Sequence, residues 1–374
     1  MFIRSLKNAI YGEVWSAQEV KLHDSSERAS GVPFYSAVLD GDGRPRRLAV
    51  KRMPWDTINE KLGTVRENPL HEIAFLTKMQ DPGHPNVVGL AEALDDGSTV
   101  YLATPFVGGP GGGEMFDWVA DNYLSPAPEA VLRPLLWQVV DGMRYMHSKG
   151  VCHADMSLEN TLVDAAHTQA FIIDFGMALQ MPVDEHGRRF RSKPDGRRAK
   201  RSYCAPETYK GRQPYDGVKV DVFSVGCMGF MMFTGIPPFD EATRIDPKFK
   251  KVVFHGDLQG YLGGYGMSPL PDPVFQLLRA MMAYNADDSS SSSSSSRGHH
   301  KCSRRWWRRR RGPQRQGHAT SARCYRCHYS STSSTSASRE QHQQMDQQRP
   351  CRHRQHSRRW MTATHDSKSR RGPG

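Results

Sequence analysis

Residues 149–164 read K-G-V-C-H-A-D-M-S-L-E-N-T-L-V-D, and a D-F-G triplet starts at Asp174, ten residues after the last Asp of that stretch. The H-x-D-x-x-x-x-N spacing of His153, Asp155 and Asn160 puts a carboxylate and a carboxamide on one short loop, and Asp174 adds a second carboxylate. Such hard oxygen donors suit Mg2+. Any one of them alone would read as a turn cap. Their joint spacing makes them a constellation.

Outward from this loop, V-L-R-P-L-L-W-Q-V-V-D-G-M-R-Y-M-H (131–147) and D-V-F-S-V-G-C-M-G-F-M-M-F (221–233) read as helices, and helices dominate from about Met115. Residues 1–103 read mostly as strands (F-I-R-S-L, E-V-W-S-A, R-L-A-V-K, V-Y-L-A-T), with one helix around Asn68–Met79. The expected fold class is α+β, a small β-rich lobe joined to a larger helical one. There is no charged-then-apolar leader and no apolar run near eighteen residues, and the seven cysteines form no framework. These features predict a cytoplasmic protein with free thiols and no membrane partner.

The formal net charge of +12 is unevenly placed. From Ser289 onward 20 Lys and Arg face 3 Asp and Glu, leaving 31 against 36 before it. Residues 289–374, with eight serines, R-R-W-W-R-R-R-R and then Ser, Gln, His and Arg, have too little apolar surface to offset chain entropy and are expected to be disordered. Nucleic acid is a candidate partner only through this tail, by phosphate contacts and stacking on Trp306 and Trp307, which also opens a nuclear location. C-Y-R-C-H (Cys324–His328) has haem-attachment spacing and could imitate a zinc site with Cys302 or Cys351, but it lacks folded surroundings. No folding logic joins tail to body, so the tail reads either as a late replacement or, in preference, as the product of a shifted reading frame or splice at the serine repeat. Oligomeric state is not legible.

The ordered motifs of residues 1–288 resemble those of the eukaryotic protein kinase family. The resemblance implies a two-lobed fold with an N-lobe (1–104), a hinge (105–114) and a C-lobe (115–288) that lacks its last helix. It also implies roles. Ala49-Val50-Lys51 matches the strand whose Lys holds the α- and β-phosphates of ATP, with Glu72 of H-E-I-A-F-L as its helix partner. Thr104 matches the gatekeeper, Phe106 and Val107 the connector that meets adenine, and Glu114 the ribose acceptor. Asp155 matches the catalytic base, with Asn160 and Asp174 as Mg2+ ligands. Ala205-Pro206-Glu207 closes the activation segment, and Asp221 matches the brace of the catalytic loop. The glycine run Gly108–Gly113 has no P-loop context and reads as a flexible hinge insertion.

Several positions depart from the family's pattern. The phosphate-covering loop matches best at Lys7–Ala17, where only Gly12 and Val14 agree and Lys7 and Ala9 replace glycines. A long insertion then separates Val14 from Lys51, and Ala29–Val38 is a rival with a single glycine. Ala154 replaces the Arg that receives an activation-loop phosphate, which predicts independence from phosphorylation there. Ser192 is the hydroxyl amid Arg188, Arg189, Arg191, Lys193, Arg197 and Arg198, a cluster that reads equally as a selector of acidic substrates, a cis-inhibitor or a solvated loop. Ser157 replaces a Lys that contacts the γ-phosphate, and Lys200, where the family often has Thr, is the candidate replacement cation. The late Arg that should pair Glu207 is missing, which predicts an unpaired buried carboxylate. Two readings follow: a kinase using ATP and Mg2+ on protein Ser/Thr hydroxyls, or a pseudokinase scaffold that binds nucleotide weakly.

Overall fold

The computed structural model describes residues 1–23, 34–109, 111–122, 125–183, 192, 193, 196, 198–209 and 214–283, all within one compact unit, Met1–Arg311. The readings of the serine run, the basic tail and its cysteines lie outside the described residues, as do Arg188, Arg189, Arg191 and Arg197.

Strands β1 (Phe2–Ala9) and β2 (Gly12–Gln18) form a hairpin, and β3 (Val20–His23) pairs only with β4 (Phe34–Ala37). Then β5 (Arg47–Pro54) runs into α1 (Trp55–Lys61) and α2 (Pro69–Met79), followed by β6 (Glu92–Asp95) and β7 (Thr99–Pro105). The main sheet is antiparallel in the order β1-β2-β5-β7-β6. Directly paired residues share a face and successive ones alternate. Val14, Lys51 and Leu102 therefore stand side by side, as do Ser16, Ala49 and Thr104, while Val50 and Ala103 pack with Ala17 on the other face.

This register separates the two candidates for the phosphate-covering loop. Lys7–Ala17 is the β1–β2 hairpin beside Lys51, and the insertion after it holds the β3–β4 ribbon. Phe34–Ala37 of the rival belongs to that ribbon and, among the described residues, pairs with no strand of the main sheet; residues 29–33 lie outside the described residues. The expectation of a single N-lobe helix is corrected by α1. Its seven residues are too short for a periodic signal, and it is held by the fully buried Ile58. Helix α2 starts at Pro69, with Asn68 Oδ1 accepting from the Leu70 and His71 amides at 2.9 and 3.3 Å.

The second half comprises β8 (Gly113–Glu114), α3 (Met115–Asp121), α4 (Glu129–Ser148), β9 (Val151–Cys152), β10 (Thr161–Val163), β11 (Ala170–Ile172) and β12 (Leu179–Gln180). It continues with α5 (Pro206–Tyr209), α6 (Gly217–Thr234), α7 (Pro247–Phe249), α8 (Leu258–Gly263) and α9 (Asp272–Met281). Helix α6 corrects the expectation of no long apolar run, since its 18 residues are apolar enough to cross a membrane by length and composition. Most of them are buried in the core of this half, between the Asp216 cap and Gly235 at φ +71°. The described cysteines Cys152, Cys204 and Cys227 are buried and form no disulfide with one another.

The expectation of an unpaired buried Glu207 is also corrected. The residue is only half-buried, it is not without a partner, and it sits in the first turn of α5, where a helix N-terminus favours a carboxylate.

The end of α9 sets Leu278 against α6 at Gly229, and Met281 with the following Met282 against it at Gly226. A Cβ on Gly226 would lie 2.8 Å from Met282 Cγ and 2.9 Å from Met281 Cβ. Gly226→Ala should therefore cost about 1–3 kcal/mol by overpacking, read as a lowered midpoint in urea.

Candidate active site

The catalytic loop is set from below by one carboxylate. Asp221 on α6 is fully buried and accepts hydrogen bonds from the His153 amide, the Ala154 amide and the His147 ring, each at 2.8 Å. The His153 ring donates from Nε2 to Ile173 O at 3.0 Å, and the Asp155 amide lies 3.3 Å from its Nδ1. The chain here is contorted. Among the described residues, four non-glycines have positive φ, and three of them, Ala154 (+61°), Asp174 (+65°) and Ala199 (+63°), lie in this loop or in segments facing it. Such strain persists only where surrounding contacts over-determine the backbone.

The structure brings the sequence-identified residues together. Lys51 Nζ donates to Glu72 Oε2 at 2.7 Å, and both side chains are largely buried. Burial works against the ammonium, but the carboxylates of Glu72, Asp174 and Glu67 together outweigh it and hold the Lys51 pKa above the usual lysine value. For Asp174, burial pushes upward, yet the Lys51 ammonium and the Gly176 amide at 3.2 Å prevail and keep the carboxyl below its usual range. Asp155 is held above its usual range, chiefly by burial, with Lys200 and His153 pulling the other way.

Asn160 spends its amide nitrogen on Asp155, at 2.8 Å to the backbone oxygen and 2.7 Å to Oδ2. That leaves its carbonyl oxygen for a cation. Among the described residues no three His, Cys, Asp or Glu side chains form a metal cage. The hard oxygens of Asp174 and Asn160 are of a chemistry that suits Mg2+.

Lys200 is where the sequence placed the spare cation. Its Nζ lies 2.8 Å from Ser157 Oγ and 3.4 Å from Asp155 Oδ2. The segment carrying it is tied to the loop by the Ala199 amide donating to Ala154 O at 3.0 Å and by the Tyr203 hydroxyl on Glu159 at 2.9 Å. Ser192 is buried in a two-way backbone bridge with Tyr215, at 2.8 and 3.2 Å.

At the hinge, Thr104 stands opposite Ala49 in the sheet, and Val107 is half-buried just beyond. Phe106 donates its amide to Arg47 O at 3.1 Å and stacks its ring 4.4 Å below the Arg47 guanidinium. The glycine insertion is anchored, in contrast to the flexible reading; Pro110 lies outside the described residues. His167, stacked 4.8 Å from Trp118, donates to Gly111 O at 2.7 Å, and Gly113-Glu114 pairs with β10. A Cβ on Gly112 would lie 2.9 Å from the Ala165 nitrogen, so only glycine permits this approach. Glu114 Oε1 accepts from Lys7 Nζ at 2.6 Å.

The family model described as "Protein kinase domain" matches residues 35–292. The chain belongs to the protein kinase family. The match begins within β4, and β1 and β2 join the sheet of this kinase domain through the pairing of β2 with β5. A curated relative, "Probable serine/threonine-protein kinase HSL1" of Saccharomyces cerevisiae, is 35% identical over 159 residues, which is 42% of this chain and 10% of that protein. The chain thus spans about a tenth of that relative's length.

Sequence reasoning missed Tyr11, Lys61 and Glu67. The motif E-N-P before α2 announces the Asn68 cap, but nothing local marks Glu67 as facing Asp174. Burial, then the charges of Asp174, Asp155 and Glu72, push the Glu67 carboxyl up to about 7, with Lys51 opposing. A carboxyl with a raised folded-state pKa keeps its proton in the folded kinase while the unfolded chain has lost its own, so stability falls as pH rises from about 4.5 to about 7. In the nucleotide-free protein, Glu67→Gln should raise the Tm at pH 8 and give no gain at pH 4.5, measured by calorimetry.

Proposed function

We propose that this kinase transfers the γ-phosphate of ATP to Ser and Thr hydroxyls of protein substrates. The observation that carries this reading is the intact Lys51–Glu72 pair, coupled electrostatically to Asp174 and set across from the Asp155–Asn160 loop. The name of the Saccharomyces relative supports the hydroxyl class.

Lys51, fixed by Glu72, would hold the α- and β-phosphates. Val14, Ala49, Thr104 and the connector at Phe106 and Val107 would frame adenine, with Glu114 at the ribose. Asp155, poised by burial, would take or orient the substrate hydroxyl proton. Asn160 and Asp174 would hold Mg2+, which would supply positive charge to offset that of the phosphates. Lys200 would supply the positive charge that Ser157 lacks.

The direct Ala199–Ala154 backbone bond supports independence from activation-loop phosphorylation, because it ties the segment to the loop where a phosphate and an Arg would otherwise do so. The buried Ser192 favours the same reading.

With Mg·ATP and a generic Ser/Thr protein substrate, the full chain should transfer labelled phosphate and Asp155→Asn should abolish the transfer; a folded, ATP-binding wild type with no transfer would establish the scaffold reading. Lys200→Ala should lower kcat by about a hundredfold, the worth of about 3 kcal/mol of transition-state stabilisation. Adding Ser157→Lys to that variant should restore most of the rate, since it returns the charge to the same place from the other side.

A further inference from the structure

The β1–β2 hairpin has lost two of the glycines that make a phosphate-covering loop pliant, yet its tip is pinned at two points. Pairing runs down to Ala9 and Gly12 and leaves Ile10 and Tyr11 as the turn. Lys61 at the end of α1 donates from Nζ to Ile10 O at 2.6 Å. The Tyr11 side chain has no exposed surface, and its hydroxyl donates to Glu67 O at 2.5 Å. A tyrosine on a two-residue turn ordinarily keeps its polar end in water. Burying this one is sustained by the ring's packing and by the hydrogen bond that satisfies its hydroxyl.

The acceptor lies at a junction. Glu67 precedes Asn68, whose side chain caps α2, whose amide donates to Gly176 O of D-F-G at 2.9 Å and whose carbonyl accepts from the Glu72 amide at 3.1 Å. A Cβ on Gly176 would lie 3.3 Å from Glu67 Cγ, so the Glu67 side chain packs on the D-F-G turn. One hydroxyl therefore connects the cover of the cleft with the start of the helix that carries Glu72.

We propose that Tyr11 is a positioning residue for phosphoryl transfer: its hydroxyl latches the hairpin tip to the Glu67–Asn68 corner and so keeps α2 where Glu72 grips Lys51. This rests on the kinase reading above. A fixed latch takes the place of a pliant glycine loop, and Tyr11 acts on the reaction through Glu72.

The test is a double-variant cycle on the full chain with Tyr11→Phe, Glu72→Gln and the pair, read by steady-state transfer from Mg·ATP, by Tm and by amide hydrogen exchange over residues 70–76. Tyr11→Phe keeps the ring and should leave the Tm nearly unchanged. It should lower kcat about fivefold to tenfold with a smaller change in KM for ATP, and speed exchange at the start of α2. In the Glu72→Gln background it should cost nothing further, because coupled residues are non-additive. Unchanged kcat in Tyr11→Phe, or penalties that multiply in the pair, would overturn the proposal. If the wild type transfers nothing, the kinase reading falls; the latch itself is then judged by exchange, and equal protection in wild type and Tyr11→Phe would overturn it.

Discussion

The hydrogen-bonded carboxylate of Asp221 is the constraint on which the catalytic half depends. A buried anion is tolerable only when its lone pairs are filled. Here two of the three donors are backbone amides at residues 153 and 154, so satisfying the charge fixes the chain immediately before Asp155. The third donor, His147, comes from α4, and the acceptor sits in the middle of α6. The two longest helices therefore converge on the loop. Left-handed Ala154 and Ala199 follow from that anchoring, since each holds its backbone where the Ala199–Ala154 bond can form.

Two departures from the family's pattern are offset by contacts distant in sequence. Ser157 removes a charge from the loop, and Lys200, 43 residues on, brings one back to within 2.8 Å of the serine hydroxyl. The hairpin loses its glycines, and Tyr11 with Lys61 gives its tip fixed partners.

Much of the site was legible because its members are tied by local geometry. Asp155 and Asn160 are joined by hydrogen bonds across five residues, and Asp174 precedes a turn that its own carboxylate closes onto the Gly176 amide. The β-rich and helical halves, and a helix around Asn68–Met79, were legible from residue periods. Helix α1 was not, because seven residues give no period. Glu67 and His167 were also hidden, since each meets another element, Glu67 the Tyr11 hydroxyl at its backbone oxygen and His167 the Gly111 oxygen. Glu207 was misjudged because burial was inferred from the family's pattern, whereas the helix start leaves it half-exposed.

Spacing, residue period and composition were enough for the β-rich and helical halves, for the H-x-D-x-x-x-x-N and D-F-G constellation and for the charge contrast between residues 1–288 and 289–374. Only the tertiary structure decided that Lys7–Ala17 is the hairpin beside Lys51, that Lys200 reaches Ser157, and that Tyr11 is buried against Glu67. Each of those is a contact between segments far apart in the chain. Sheet register and the anchoring of the catalytic loop on Asp221, set by packing across the whole domain, determine where such segments meet.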